Sequence, residues 1–160
     1  MKEIATLTVQ DMMWVNLQVT KRQQAWNFAT LEEAVYNQYS YGSSQDLLAQ
    51  AARFVTGFIK LKPFPAGNEA TAFVGLVGFL LMNGRDLHLT DEAALEWING
   101  VWADGTVEGV KAKLEILVED HDSHDDHGTW DVTGLLNGVL ARYAQTVQSL
   151  VETGQTASIV

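Results

Sequence analysis

The chain has 160 residues, 47% of them apolar and 19% charged. That is the size and composition of one globular domain with a real core, and it excludes a disordered chain. Twenty acids against ten bases leave a net charge of −10, which excludes a nucleic-acid duplex as the main partner because phosphate binding needs a basic face. No cysteine is present, so neither a disulfide framework nor a thiolate metal site is available.

Along the chain the signals are helical almost throughout. Thr8 with Asp11 makes a capping-box pattern ahead of Met12, Val15, Leu17 and Val19. Thr30 with Glu33 repeats it ahead of Ala34, Val35 and Tyr39. Ser43 with Asp46 opens a third helix, whose residues Leu47, Leu48, Ala51, Ala52, Val55, Phe58 and Ile59 mark one face at helical spacing. It stops at Lys62-Pro63, since a proline disfavours helical geometry in the residue before it. The fourth helix, over 68–83, is apolar nearly all round, the mark of a helix at a domain's centre. Gly75 and Gly78 allow close neighbours there, and Gly84 is placed to end it as a left-handed cap.

Thr90-Asp91-Glu92 starts a fifth helix towards Trp97 and Ile98, and Thr106 a sixth through Val110, Leu114 and Leu117. An acidic, histidine-rich segment follows over 119–128. Beyond it, one long amphipathic helix carries the stripe Val132, Leu135, Leu136, Val139, Leu140, Tyr143, Val147, Leu150 and Val151. The expected fold is all-α, a bundle around the buried central helix with an additional C-terminal amphipathic helix. Residues 1–119 form the helical domain, 120–131 an acidic His-rich loop, and 132–160 a helix and tail packed on the same domain. The longest nearly uncharged run, 70–84, is shorter than the roughly 18–20 residues that span a bilayer. The N-terminal stretch MKEIATLTVQDMM lacks the apolar core of a signal peptide. A cytoplasmic location without membrane contact is expected.

The stretch with chemical interest runs from Lys62 into the central helix. A glycine-containing loop that leads into a helix presents unpaired backbone N–H groups, an anion site in form. Here the loop reads Lys62-Pro63-Phe64-Pro65-Ala66-Gly67-Asn68-Glu69-Ala70-Thr71-Ala72, and the helix ends Phe79-Leu80-Leu81-Met82-Asn83-Gly84. This resembles the Doc branch of the Fic/Doc superfamily, whose pattern is close to H-P-F-x-D-G-N-K-R-T-A followed by F-L-x-x-N-G. About a third of the chain carries the resemblance.

The resemblance implies a transferase site. Fic proteins move a nucleotide monophosphate onto a target hydroxyl, while Doc toxins phosphorylate a translation elongation factor and are silenced by an antitoxin. In both, the motif histidine takes the hydroxyl proton, the acidic residue holds Mg²⁺, the Gly-Asn turn cradles phosphate, and the basic residues neutralise its charge. Carried over by position, the scaffold is kept and the chemistry is lost. The base position is Lys62, an ammonium that accepts no proton near neutral pH unless burial lowers its pKa by about three units. The metal-ligand position is Ala66, which has no side-chain oxygen. The clamp positions are Glu69 and Ala70. At an effective dielectric of about 20, a carboxylate ~4 Å from a phosphate charge repels it by roughly 4 kcal/mol. What remains is structural: Pro63 and Phe64 shape the loop, Gly67 permits its turn, and Asn68 and Thr71 are placed to cap the helix.

The leading expectation is therefore a degenerate Fic/Doc-like protein without catalysis, which binds a protein partner in a toxin–antitoxin-like setting, an antitoxin-like peptide or a second copy through the C-terminal helix. The alternative is a phosphoryl or nucleotidyl transferase with altered chemistry at the loop. In that case Lys62, Gly67, Asn68 and Glu69 would bind a nucleotide without Mg²⁺. A third reading rests on His121, His124 and His127, three residues apart with Asp122, Asp125 and Asp126 between them. Imidazole and carboxylate suit Zn²⁺ or Ni²⁺. On a helix, however, that spacing drifts round the axis, so an acidic loop that picks up metal adventitiously is the plainer expectation.

Overall fold

The computed structural model describes residues 7–21, 28–36, 46–120 and 132–159. Its first helix, α1 (Val9–Thr20), opens on the expected capping box. Thr8 Oγ1 accepts the Asp11 N–H at 3.1 Å while the Thr8 N–H donates to Asp11 Oδ2 at 2.8 Å. The next helix, α2 (Phe28–Tyr36), begins ahead of Thr30, which lies inside it and is not its cap. Threonine inside a helix costs only a few tenths of a kcal/mol, about the same as many residues, so the Thr-x-x-Glu spacing alone does not fix a start. Tyr39 and Ser43 lie outside the described residues.

The third helix, α3 (Leu47–Leu61), is capped by Asp46 itself, whose Oδ1 accepts the Ala49 N–H at 3.2 Å. Asp46 also pairs with Lys111. The hydrogen bond from that ammonium is the main reason its carboxyl is held below the ordinary carboxylate range. After the loop at Lys62 comes α4 (Asn68–Met82), in which every residue except Glu69 and Leu81 is buried. Gly84 ends it with φ +77°. Then follow α5 (Asp91–Asp104) behind Thr90 and α6 (Val107–Leu117) behind Thr106, each threonine accepting a backbone N–H from three residues on.

Two three-residue strands complete this part. β1 (Arg85–Leu87) pairs antiparallel with β2 (Val118–Asp120), Arg85 opposite Asp120 and Leu87 opposite Val118. The chain closes with α7 (Val132–Arg142) and α8 (Ala144–Ile159).

The architecture is all-α, with α4 at its centre and α1, α3, α7 and α8 packed directly on it. Close approach depends on the two glycines of α4. A Cβ on Gly75 would lie 2.8 Å from Met12 Cε of α1 and 2.9 Å from Phe54 Cζ of α3, and one on Gly78 would lie 2.6 Å from Leu136 Cδ2 of α7. Phe73 meets Tyr143 edge-to-face at 5.0 Å, an arrangement that adds about 0.5–1.5 kcal/mol to what burial supplies. Among the described residues no helix is long and apolar enough to cross a membrane.

The C-terminal stripe read as one helix is in fact two, interrupted at Tyr143. Nothing local explains the interruption: Leu140, Ala141, Arg142, Ala144 and Gln145 are all good helix formers and no proline is near. At the interruption stands the carboxylate of Asp91, distant in sequence. Its carboxylate accepts the Gln145 N–H at 3.1 Å and the Thr146 N–H at 3.0 Å, and the Thr146 hydroxyl donates to it at 2.6 Å. A carboxylate inserted into the i→i−4 ladder is a recognised origin of a helix break. Burial opposes ionisation of Asp91, yet the hydrogen bonds from Thr146 and Gln145 outweigh it and hold the carboxyl below its ordinary range. Arg142 and Tyr143 add anchors on the same side. Arg142 Nη1 donates to Asp86 Oδ1 at 2.8 Å and its Nη2 to Leu87 O at 2.7 Å, while Tyr143 OH donates to Leu89 O at 2.7 Å. Burial pushes the Tyr143 phenol up to about 12, so it stays a donor at any physiological pH.

Candidate functional site: the Lys62 loop and the neighbouring groove

The loop is built by a helix that must stop and a helix that must start deep in the core. Lys62 terminates α3 in left-handed geometry, φ +44°, its N–H donating to Phe58 O at 3.0 Å. Its side chain is exposed. Pro63 and Phe64 are buried, and the Phe64 ring lies 6.3 Å from that of Phe58, so the loop is anchored to α3.

Asn68 performs a different task from the expected helix cap. Its Oδ1 accepts the Phe64 N–H at 3.0 Å and its Nδ2 donates to Phe64 O at 2.7 Å. Both ends of one carboxamide are spent on one residue, closing the loop on itself. The N-cap position is Gly67, which has no side chain to offer, and Thr71 does not cap either: its Oγ1 accepts from Asn16 Nδ2 at 3.2 Å.

The other wall of the loop is α1. Asn16 Nδ2 also donates to Ala66 O at 3.0 Å, and Gly67, at φ +77°, would place a Cβ 2.6 Å from Thr20 Cγ2. The Cβ side of Gly67 is thus faced by Asn16, Val19 and Thr20 of α1. Of the residues that follow the turn, Ala70 is fully buried in the core. Glu69 sits in the first turn of α4, where a carboxylate complements the helix dipole by about 0.3–1 kcal/mol. The only ionisable side chains from 62 to 71 are Lys62 and Glu69. The structure therefore brings Phe64, Ala66, Gly67 and Asn68 together as a closed turn and leaves Lys62 outside it.

Asn16 was not singled out by sequence reading, although a signal for it exists. It shares the buried face of α1 with Met12, Val15 and Val19, and a buried polar residue on an apolar stripe must find hydrogen-bond partners.

Beside this turn lies a groove of about 600 Å³ between the end of α1 and the α7–α8 pair. Its apolar floor includes Val19, Leu140, Val147 and Val151, with Lys21 and Glu152 among its polar lining. His121, His124 and His127 lie outside the described residues. Among the described residues no three His, Cys, Asp or Glu side chains converge as a metal site. Comparison with protein-family models, with curated proteins and with solved structures gives no match.

Proposed function

We propose that this chain is a degenerate Fic/Doc-like protein that acts by binding a protein partner and not by group transfer, holding an antitoxin-like peptide in the groove between α1, α7 and α8. The observation that carries this reading is the spent carboxamide of Asn68, bonded at both ends to Phe64 inside a turn that α1 covers. A loop whose polar groups are committed to its own backbone offers a phosphate little, and Glu69 at its exit repels one. The toxin–antitoxin-like setting comes from the resemblance at 62–72 alone.

The occupant is read from shape and charge. The groove is lined by the end of α1 on one side and by residues of both α7 and α8, from Asn137 to Glu152, on the other, a cleft between helices of the kind that takes the apolar face of a short amphipathic helix. With a net charge of −10, the chain attracts a peptide whose polar face is basic.

Two measurements test the reading. In a thermal-shift titration, ATP, GTP and CTP with and without Mg²⁺ are expected to leave the melting temperature unchanged at millimolar concentration. A ligand at ~100 times its Kd would contribute about 2.7 kcal/mol. A Mg²⁺-independent rise that Lys62→Glu abolishes would overturn the proposal in favour of the transferase reading. In fluorescence anisotropy, a short amphipathic helical peptide, leucine on one face and lysine on the other, is expected to bind. Val151→Glu in the half-buried groove wall is expected to weaken it at least about tenfold, the size of losing one buried apolar contact. A probe that does not bind, or one that Val151→Glu leaves untouched, would sink the groove as the partner site.

A further inference from the structure

The interruption between α7 and α8 coincides with the groove. Leu140 and Ala141 stand on its α7 side, Ala144, Val147 and Val151 on its α8 side, and all five line it. The relative placement of the two helices therefore sets the groove's shape, and that placement is imposed from outside the helix. In an uninterrupted helix the N–H groups of Gln145 and Thr146 would donate to Ala141 O and Arg142 O. Here they donate to the Asp91 carboxylate, while the ladder resumes at once on either side. The Tyr143 N–H donates to Val139 O at 3.0 Å and the Val147 N–H to Tyr143 O at 2.9 Å.

We infer that α7 and α8 are one latent helix held open by Asp91, and that Asp91 is a positioning residue that shapes the partner groove from behind. The second half of this statement rests on the groove reading above; the first half does not.

The argument is an exchange of acceptors. Bonds to a carboxylate are stronger than bonds to a backbone carbonyl, so the charged acceptor wins while it is present. Thr146 reinforces it from the other direction, its hydroxyl donating to Asp91 Oδ1 at 2.6 Å and to Asp91 O at 2.9 Å. Asp91 also occupies the first turn of α5 behind the Thr90 cap. One carboxylate thus serves two helix N-termini at once, and each favours a negative charge. Ala141 and Arg142, whose carbonyls would accept those two N–H groups in an unbroken helix, are exposed. Remove the carboxylate, and the nearest acceptors for the two N–H groups are the carbonyls one turn back.

The experiment identifies the acceptors directly. In isotope-labelled protein, through-hydrogen-bond couplings report which carbon each amide is bonded to, and amide exchange reports protection. Wild type is expected to couple Gln145 and Thr146 to the Asp91 carboxylate. In Asp91→Ala the same amides are expected to couple to the Ala141 and Arg142 carbonyls and to stay protected. If instead they lose both couplings and exchange like loop amides, the break is a product of packing and the inference is overturned. Asp91→Ser, whose hydroxyl is too short to reach α8, carries the same test should the alanine variant not fold. Affinity for the lysine-faced probe peptide is expected to fall on the order of tenfold in Asp91→Ala, the scale of one lost charged cap. An unchanged affinity with switched couplings would confine Asp91 to the helix break and remove it from the groove. A probe that fails to bind wild type would count against the groove alone, since the couplings are read without it.

Discussion

Asn68→Ala is expected to lower the stability of the fold by about 2–5 kcal/mol, read as a fall in the urea midpoint without a change of slope. The residue is only 5% exposed and its carboxamide makes two bonds to a single backbone unit, at 3.0 Å and 2.7 Å. Truncation removes both and leaves the Phe64 N–H and C=O buried without partners. Each such orphan costs about 1–3 kcal/mol, which exceeds the worth of the bond itself. Asn68→Asp is the informative companion. It keeps an acceptor for the Phe64 N–H but turns a carboxylate oxygen towards Phe64 O, so it is expected to be no better than alanine near neutral pH. An Asn68→Ala protein within about 0.5 kcal/mol of wild type, the range of an ordinary surface change, would mean that the turn is not closed by this side chain. The case against a phosphate cradle would then lose its main support.

What could be read from the sequence follows the range of the forces involved. Helix starts fixed by the residues beside them were legible: the Thr8–Asp11 box, and Thr90 and Thr106 as caps. The central position of α4 was legible because a helix apolar on every side has nowhere else to go, and its glycines meet Met12, Phe54 and Leu136 as close neighbours. The interruption at Tyr143 was not legible, because the carboxylate that stands there comes from some fifty residues earlier in the chain and the local residues favour continuity. Nor were β1 and β2, since three-residue strands are too short to display an alternation. At the loop, the sequence marked the stretch 62–72 as the place of chemical interest, and the structure makes it a turn between two buried helices. That Asn68 clasps Phe64 and that α1 fills the far side could not be read, because both depend on which helix face arrives there. Asn16 marks the limit: its place on an apolar stripe shows that it must find partners, but not that they are Ala66 and Thr71.

The second large effect is expected at Gly67, where Gly67→Ala should cost about 2–5 kcal/mol from two separable sources. The backbone there holds φ +77°, which an L-residue adopts at a cost of roughly 1–2 kcal/mol. The added methyl would also lie 2.6 Å from Thr20 Cγ2, 3.3 Å from Asn16 Nδ2 and 3.4 Å from Val19 Cγ2. None of the first two can easily yield. The Thr20 hydroxyl is held by its bond to Asn16 O at 2.7 Å, and Asn16 Nδ2 is committed to Ala66 and Thr71. Crowding of that kind costs about 1–3 kcal/mol in a packed interior. Thr20→Ser separates the two sources, since it deletes the methyl in the way and keeps the hydroxyl. In a double-mutant cycle the pair is expected to couple by about 1–2 kcal/mol, with the serine recovering the crowding part and leaving the backbone part in place. Strict additivity would place α1 away from Gly67 in solution, which would leave the turn open towards solvent. A phosphate group could then approach the start of α4, and the nucleotide titration would become the deciding measurement. Coupling of the expected size has the opposite consequence: the Cβ side of Gly67 is occupied by Thr20, Asn16 and Val19 of α1, which supports the proposed binding role over group transfer.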